Sequence, residues 1–304
     1  MTKTEEMNLE PSQASEWQTN EELPRVLMSN DPRAERFNPP PPVPCEYCGQ
    51  PRYTKGIRSG NTYTWALSGG PRRCECDGAL EARRREIEAR EMWEKINSII
   101  GGNGMGARFR RRTFDTFIKT DENQRPLRIC KAYADTFSNK LPQNNPEPGR
   151  NGLFITGPMG TGKTHLVAAI ANQLIDEGTP VICMTMIDLL ARIRQTYERS
   201  QRPGAKYNED EILNIYKEVP LLIIDDMGKE QTTTWIVSKI YEIINARYEA
   251  YMPTIITTNY SDSELVHRFT PKETGDPTTA AATIDRLREM CAAIVTTGDS
   301  WRSK

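Results

Sequence analysis

One loop has the clearest chemical pattern in the sequence, and it consists of Gly157, Pro158, Met159, Gly160, Thr161, Gly162, Lys163 and Thr164. It fits G-x-x-x-x-G-K-[ST], the phosphate-binding loop of many nucleotide-hydrolysing proteins. Its glycines let successive backbone N–H groups point into one cavity. In such loops the lysine reaches the β- and γ-phosphates, and the hydroxyl that follows ligates Mg²⁺. The loop predicts a nucleoside triphosphate and Mg²⁺ as ligands, and the adjacent His165 belongs to the same predicted binding set.

The sequence around this loop has the strand and helix that a phosphate-binding loop requires. A buried-strand pattern from Leu153 to Thr156 runs into the loop, and apolar residues at helical spacing follow it until Gly178. Such a helix points the positive end of its dipole at the phosphates. A glycine-rich turn with a coincidental lysine would not require this order of elements, so the flanking pattern favours nucleotide binding.

Two carboxylates end another buried strand, which runs from Leu221 to Ile224 and is followed by Asp225 and Asp226. Ligands bind at the carboxyl ends of the strands in open α/β sheets. We therefore expect Asp225 to hold Mg²⁺, directly or through water, and Asp226 to orient or deprotonate the attacking water. The alternative is a core strand that ends in a solvated acidic turn.

Two later polar residues each allow two interpretations. Asn259 follows an apolar strand pattern, so it is predicted to bond the γ-phosphate or the attacking water. Alternatively, it lies in an ordinary turn in which Ser261 caps the next helix. Arg286 lies on a predicted helix near the end of the sequence. It either reaches a neighbouring subunit's nucleotide, where it would neutralise transition-state charge, or lies on a solvated helix face.

Four cysteines in two tight pairs predict a structural zinc site, and they are Cys45, Cys48, Cys74 and Cys76. Four soft ligands at such spacing are typical of Zn²⁺, and they leave no open coordination position for catalysis. The alternative is four reduced surface thiols. The other three cysteines are isolated in apolar or helical settings and are predicted to be packing residues: Cys130, Cys183 and Cys291.

A basic segment lies between the second predicted strand and the acidic pair, and it contains Arg192, Arg194, Tyr197, Arg199, Arg202 and Lys206. Cations interleaved with an aromatic ring can follow a phosphate backbone and stack a base. The composition of the segment therefore allows contact with single-stranded DNA. The alternative is the solvated face of an amphipathic helix.

The chain of 304 residues divides into three predicted segments. Residues 1–44 form a flexible polar tail that ends in a proline run, either a spacer or a ligand for a proline-binding module. Residues 45–105 form a zinc-binding, partner-interaction module with a helix from Ala79 to Ile96. Residues 106–304 alternate strands and helices, which predicts an α/β domain with a five-stranded parallel sheet. The predicted strands are Leu153 to Thr156, Val181 to Thr185, Leu221 to Asp225, Thr254 to Thr258 and Ala293 to Thr296.

The bulk composition excludes several classes of protein. The formal net charge is −1, so any surface for nucleic acid must be local. No apolar run approaches the roughly 20 residues of a membrane span, and the polar N-terminus lacks the apolar core of a secretory signal. An odd number of cysteines, seven, in a chain with a phosphate-binding loop indicates a reduced protein. We expect a cytoplasmic protein with no membrane contact.

The set GPMGTGKT, LLIIDD, ITTN and TIDRL, in this order, resembles the AAA+ ATPases and is most similar to DnaC/DnaI-type replicative helicase loaders. The resemblance covers residues 106–304. It implies ATP as the nucleotide, Asn259 as sensor 1 and Arg286 as an arginine finger that acts on a neighbouring subunit. It also places residues 109–114 near the adenine. One departure is Asp226, because the wider family carries glutamate there.

The resemblance also implies a function. A loader would bind a replicative DnaB-type hexameric helicase and single-stranded DNA, would self-associate, and would hydrolyse ATP slowly under control of its partner or DNA. The sequence has no predicted helical lid after its last strand, which fits this class. The alternative is a transposition accessory ATPase of the IstB type, which shares nearly the same core. A metabolic kinase would require a substrate pocket that no segment of the sequence predicts.

Overall fold

The computed structural model describes residues 24–65, 74–107, 109–145, 149–200, 209–230 and 232–300, with the side chains of 197–200 and 209 excepted. The chain divides into two compact units, residues 1–85 and 86–304. The division falls inside helix α1, Asp77–Ile99, which contains the predicted helix. The predicted boundary near residue 105 stays a prediction.

The first unit contains two small antiparallel sheets. One has the strand order β1 (Val26–Met28), β4 (Lys55–Ser59) and β5 (Thr62–Trp65). The other pairs β2 (Val43–Pro44) with β3 (Pro51–Arg52). A two-residue turn joins β4 to β5, and it begins at Gly60 with φ +65°. Positive φ is what tight hairpin turns require and what glycine adopts without strain.

The prediction of a flexible tail over residues 1–44 is wrong for residues 24–44. Strand β1 pairs with β4, and Leu27 is buried in a small core with Tyr63. A 3₁₀ helix, Pro32–Phe37, packs its apolar residues on the same core. The average composition of this segment is polar, so it does not reveal the few apolar side chains that pack against an aromatic partner and fold the segment. Residues 1–23 lie outside the described residues.

The second unit is built on a five-stranded parallel sheet with the order β10–β6–β9–β8–β7. Its strands are β6 (Gly152–Thr156), β7 (Val181–Thr185), β8 (Leu221–Met227), β9 (Thr254–Thr258) and β10 (Cys291–Val295). All five predicted strands are confirmed, with end shifts of up to two residues. They are recognisable because strands covered on both faces need continuous apolar runs.

Helices cover both faces of this sheet, and two hydrophobic clusters form the core between the layers. Besides α1, the described helices are α2 (Gln124–Asp135), α3 (Lys163–Asp176), α4 (Met186–Ser200), α5 (Glu209–Glu218), α6 (Thr234–Glu249), α7 (Asp262–Phe269) and α8 (Thr278–Met290). Ser261 caps α7 in a capping box with Glu264, as its position predicted.

The three isolated cysteines are buried, which confirms their packing role. Among the described residues, no helix combines the length and apolar character needed to cross a membrane.

A fully buried arginine, Arg247 on α6, fastens the ends of the strands opposite the phosphate-binding loop. Its guanidinium donates to the Val219 carbonyl before β8 at 2.8 Å and to the Thr254 hydroxyl at the start of β9 at 2.9 Å. It also donates to the carbonyls of Tyr216 and Pro253. Several oxygen acceptors thus satisfy a buried charge without a carboxylate partner.

We predict that Arg247→Ala lowers the free energy of unfolding by at least about 3 kcal/mol, because it leaves a cavity and several buried carbonyls without a donor. Arg288 forms an exposed ion pair with Asp262 at 2.7 Å, so Arg288→Ala should lower that free energy by less than about 1 kcal/mol. Urea denaturation followed by circular dichroism measures both. Equal losses would contradict the structural role of Arg247.

Candidate functional site

The phosphate-binding loop joins β6 to α3 in a conformation that depends on its glycines. Gly157, Gly160 and Gly162 have φ values of 144°, 83° and 93°. A Cβ atom on Gly157 would lie 2.2 Å from the carbonyl oxygen of Thr296. Helix α3 begins at Lys163, and no side chain caps its N-terminus. Its first backbone N–H groups are therefore available to an anion.

Lys163 is held inside this loop. Its ammonium donates to the carbonyls of Gly157 and Pro158, both at 2.7 Å, and the residue is only 5% exposed. These carbonyls fix the charge within the concave side of the loop. The lysine is thus placed where the sequence motif predicts contact with phosphates.

Asp225 is a buried carboxylate that joins three elements. The Thr164 hydroxyl at the start of α3 donates to it at 3.0 Å, and the Thr257 hydroxyl on β9 donates at 2.5 Å. Burial raises the pKa of Asp225, and so does the neighbouring charge of Asp226, whereas the two threonine hydroxyls and Lys163 oppose that rise. A carboxylate and a hydroxyl are the oxygen ligands that Mg²⁺ prefers. The donor set therefore fits this ion.

Asp226 has a left-handed backbone conformation, φ +60°, which is uncommon for a residue with a side chain. Its N–H donates to the Thr257 hydroxyl at 2.9 Å, so the same hydroxyl holds both aspartates. Its carboxylate pairs with the Lys229 ammonium at 2.8 Å. Asp226 and Asn259 line one cleft with Lys163 and Thr164, so the structure brings these predicted residues together.

The cleft has a volume of about 880 Å³, and its opposite wall comes from the segment before α2. Described residues of that wall are Phe109, Arg112, Thr116, Phe117 and Ile118. The Asn172 amide on α3 donates to the carbonyls of Phe109 and Arg112 at 3.0 and 2.7 Å, which ties the wall to the helix. Apolar rings beside a phosphate-binding loop can hold a nucleobase.

His165 also lines the cleft, but it faces the wall segment. One ring nitrogen lies 2.9 Å from the Thr113 carbonyl oxygen, and the ring packs edge-to-face on Phe117 at 5.1 Å. Burial lowers the pKa of His165, which favours the neutral imidazole. A nucleotide-binding role for His165 stays a prediction.

Sequence reasoning missed Thr296 and Lys229. Thr296 follows β10 and is fully buried, with its hydroxyl 2.7 Å from that of Thr161 in the phosphate-binding loop. It also donates to the Thr156 carbonyl at 3.1 Å. The strand order would have indicated Thr296, because β10 lies beside β6 and therefore ends next to the phosphate-binding loop.

Arg286 is not among the residues that line the cleft of its own chain. It is half-buried on α8, donates to the Asn245 side chain at 2.6 Å and lies 4.9 Å from the centre of the Tyr241 ring. The alternative prediction, that Arg286 lies on a solvated helix face, is therefore only partly correct, because an aromatic ring and an amide of α6 contact the guanidinium. Its action on a neighbouring subunit stays a prediction.

In the first unit, the four predicted zinc ligands meet. Cys45 and Cys48 lie in the turn segment that connects β2 and β3, and Cys74 and Cys76 precede α1. Their sulfur atoms lie within 4.8 Å of one another, with separations of 3.8 Å for Cys45–Cys76 and 3.6 Å for Cys48–Cys74. A tetrahedron with Zn–S bonds of about 2.3 Å has edges of about 3.8 Å. The cluster therefore fits a metal ion of this size.

The predicted DNA-binding residues are only partly described. Arg192 on α4 is half-buried and donates to the Ile100 carbonyl, whereas Arg194 is exposed and lies 5.7 Å from the centre of the Trp235 ring. Tyr197 and Arg199 belong to α4, but their side chains lie outside the described residues, as do Arg202 and Lys206 entirely. Contact with DNA stays a prediction.

A parallel sheet with the phosphate-binding loop after β6 and the acidic pair near the carboxyl end of β8 defines a P-loop nucleotide-binding domain. This chain belongs to the family of IstB-like ATP binding proteins, because the family model matches residues 148–304, more than half of the chain. It is therefore an ATP-binding protein.

Individual relatives share about a quarter of their residues with this chain over the matched regions. The replicative helicase loader DnaI of Bacillus subtilis is 23% identical over 85% of this chain and 78% of its own length. The replicative helicase loader DnaC of Escherichia coli is 25% identical over 62% of this chain and 71% of its own length. The crystal structure of the DnaC helicase loader has a TM-score of 0.49 at 22% identity, and covers 63% of this chain and 100% of that chain.

We predict that Thr296→Val weakens ATP binding about fivefold, because the phosphate-binding loop loses the buried hydroxyl that positions Thr161. Thr136 makes a comparable hydroxyl bond to the Ala132 carbonyl at 2.7 Å after α2, so Thr136→Val serves as the control. Equilibrium binding of a fluorescent ATP analogue measures both variants. If both bind as the unaltered protein does, Thr296 has no positioning role.

Proposed function

We propose that this protein is an ATP-driven helicase loader that binds a replicative DnaB-type hexameric helicase and single-stranded DNA during the initiation of replication. The observation that carries the proposal is the extent of the likeness to the Bacillus subtilis loader. It covers 261 residues, and so extends beyond residues 148–304, the part that the ATP-binding family model matches. The likeness thus includes part of the chain that lies before the ATP-binding domain.

In the proposed reaction, the cleft binds ATP and hydrolyses it slowly to ADP and phosphate. Lys163 and the N-terminus of α3 hold the phosphates, and Thr164 and Asp225 would hold Mg²⁺, which would supply charge neutralisation at the phosphates. Asp226 orients the attacking water and accepts its proton as the water oxygen bonds to the γ-phosphorus, while the bond from that phosphorus to the β–γ bridging oxygen breaks and ADP leaves. Asn259 bonds the water or the γ-phosphate from the neighbouring strand.

The cysteine-bearing unit is proposed to hold one structural Zn²⁺ and to contact the helicase. Its described surface carries large apolar side chains that a partner could cover: Val26, Val43, Tyr47 and Ile57, each 40% or more exposed. Val26 and Ile57 lie opposite each other on β1 and β4, and contiguous exposed apolar side chains mark protein-binding surfaces. The exposed Arg194 is proposed to contact single-stranded DNA with the rest of the basic segment.

A second candidate function is that of a transposition accessory ATPase. The family description itself favours it, because the matching model is that of IstB-like proteins. The two candidates share the ATP site and differ in the partner. Binding to a DnaB-type helicase supports the loader, whereas stimulation of a transposase without helicase binding supports the accessory ATPase.

We predict that the purified protein carries about one zinc ion per chain and captures a DnaB-type helicase. Cys48→Ser/Cys74→Ser should lose both zinc and the helicase but keep ATP binding, because the cysteines and the cleft belong to different units. Elemental analysis, helicase pull-down and nucleotide binding measure the three properties.

Lys163→Ala is the reciprocal variant, which should lose ATP binding and keep zinc. Helicase capture by a zinc-free protein would remove the role of the cysteine unit. A protein that captures no DnaB-type helicase would remove the loader function.

We predict that Arg286→Ala keeps ATP affinity but lowers ATP hydrolysis at least about tenfold, because a neighbouring nucleotide loses its arginine. Mixing Arg286→Ala with Lys163→Ala should restore hydrolysis, since the second variant offers Arg286 to the intact cleft of the first. Arg288→Ala, on the same helix, is the control and should hydrolyse normally. Failure of the mixture to recover would contradict action between subunits.

A further inference from the structure

Lys229 is a cation of the nucleotide cleft that no sequence motif indicates. It lies in the loop after β8 and lines the cleft with Lys163, Thr164 and Asn259. Its ammonium is 2.8 Å from the Asp226 carboxylate, and the side chain is 32% exposed. The described cations that line the cleft are Arg112, Lys163 and Lys229. Lys229 pairs with the aspartate proposed to orient water.

The loop holds the backbone of Lys229 in place while its side chain extends into the cleft. The Glu230 carboxylate accepts the N–H groups of Gly228 and Lys229 at 3.1 and 3.0 Å. Gly228 has φ +99°, and a Cβ atom there would lie 2.8 Å from both Leu265 and Tyr260. The position of residue 229 is thus set by α7 and by Glu230. A lysine side chain on a fixed backbone can exchange one anion for another over a short distance.

ATP would bring a second anion to this ammonium. A triphosphate that begins at the phosphate-binding loop directs its terminal phosphate toward the carboxyl ends of β8 and β9, where Asp226 and Asn259 lie. A phosphate and an uncompensated carboxylate repel each other in a partly buried cleft. ADP lacks that terminal phosphate and does not create this conflict.

We propose that Lys229 binds the terminal phosphate of ATP and thereby distinguishes ATP from ADP. Without nucleotide its ammonium neutralises Asp226, and with ATP it moves to the phosphate and releases the carboxylate for the attacking water. This inference rests on the proposed ATP-driven function of the cleft. It does not involve the helicase, so it can fail while the loader function stands.

Lys229→Met tests the proposal by removing the charge and keeping most of the side-chain length. It should weaken binding of a non-hydrolysable ATP analogue about tenfold, the loss expected for one charge-assisted hydrogen bond. ADP binding should stay unchanged, and Lys229→Arg should restore the preference for the ATP analogue. Lys239 forms an (i, i+3) ion pair with Glu242 on α6, so Lys239→Met is the matched control. Fluorescence titrations with Mg²⁺ and labelled nucleotides measure these affinities.

The same substitution in an Asp226→Asn background separates two explanations. If Lys229 contacts the phosphate, Lys229→Met still weakens the ATP analogue selectively when residue 226 is neutral. If Lys229 acts only by neutralising Asp226, the effect disappears in that background, and the proposal is overturned. Equal weakening of ATP analogue and ADP would also overturn it. These titrations require no hydrolysis, so an unaltered protein that binds but does not hydrolyse ATP would contradict only the proposed function.

Discussion

The arrangement of the site depends on one buried anion, the carboxylate of Asp225. Its two threonine partners come from different parts of the chain, one from the start of α3 and one from β9. A carboxylate removed from water needs such partners, because an unpaired one would be strongly destabilising. The strand order that places β9 between β6 and β8 is what allows all three groups to meet. The order of the strands therefore positions the oxygen atoms that are predicted to bind the metal ion.

A buried cation complements this anion at the other end of the same strands. Arg247 binds the chain before β8 and the first residue of β9, whereas Asp225, near the carboxyl end of β8, accepts a hydrogen bond from Thr257 on β9. The two charges differ in their partners, since hydroxyl groups satisfy the anion and mainly backbone carbonyls satisfy the cation. Strands β8 and β9 are therefore fixed at both ends by groups that tolerate little displacement.

The sequence predicts much of this arrangement because parallel strands are continuous apolar runs and ligand-binding residues follow their carboxyl ends. Asp226 and Asn259 were predicted in this way, and both line the cleft. Thr296 and Lys229 were not, because their contacts with Thr161 and Asp226 have no local motif. The fold of residues 24–44 was missed for a related reason: Leu27 becomes a core residue only through Tyr63, far along the chain. Long-range contacts of this kind need the topology before they can be assigned.

Because Arg247 and Asp225 hold opposite ends of β8 and β9, a structural change caused by the nucleotide is expected outside these two strands. Close-packed strands that are hydrogen-bonded at both ends resist displacement. We therefore do not expect β8 and β9 to shift when ATP is replaced by ADP. The loop that follows β8, from Gly228 to Glu230, is held by the Glu230 carboxylate and by Arg268 of α7. Because Arg268 of α7 donates to the Gly228 carbonyl, any displacement of this loop by the nucleotide would act directly on α7.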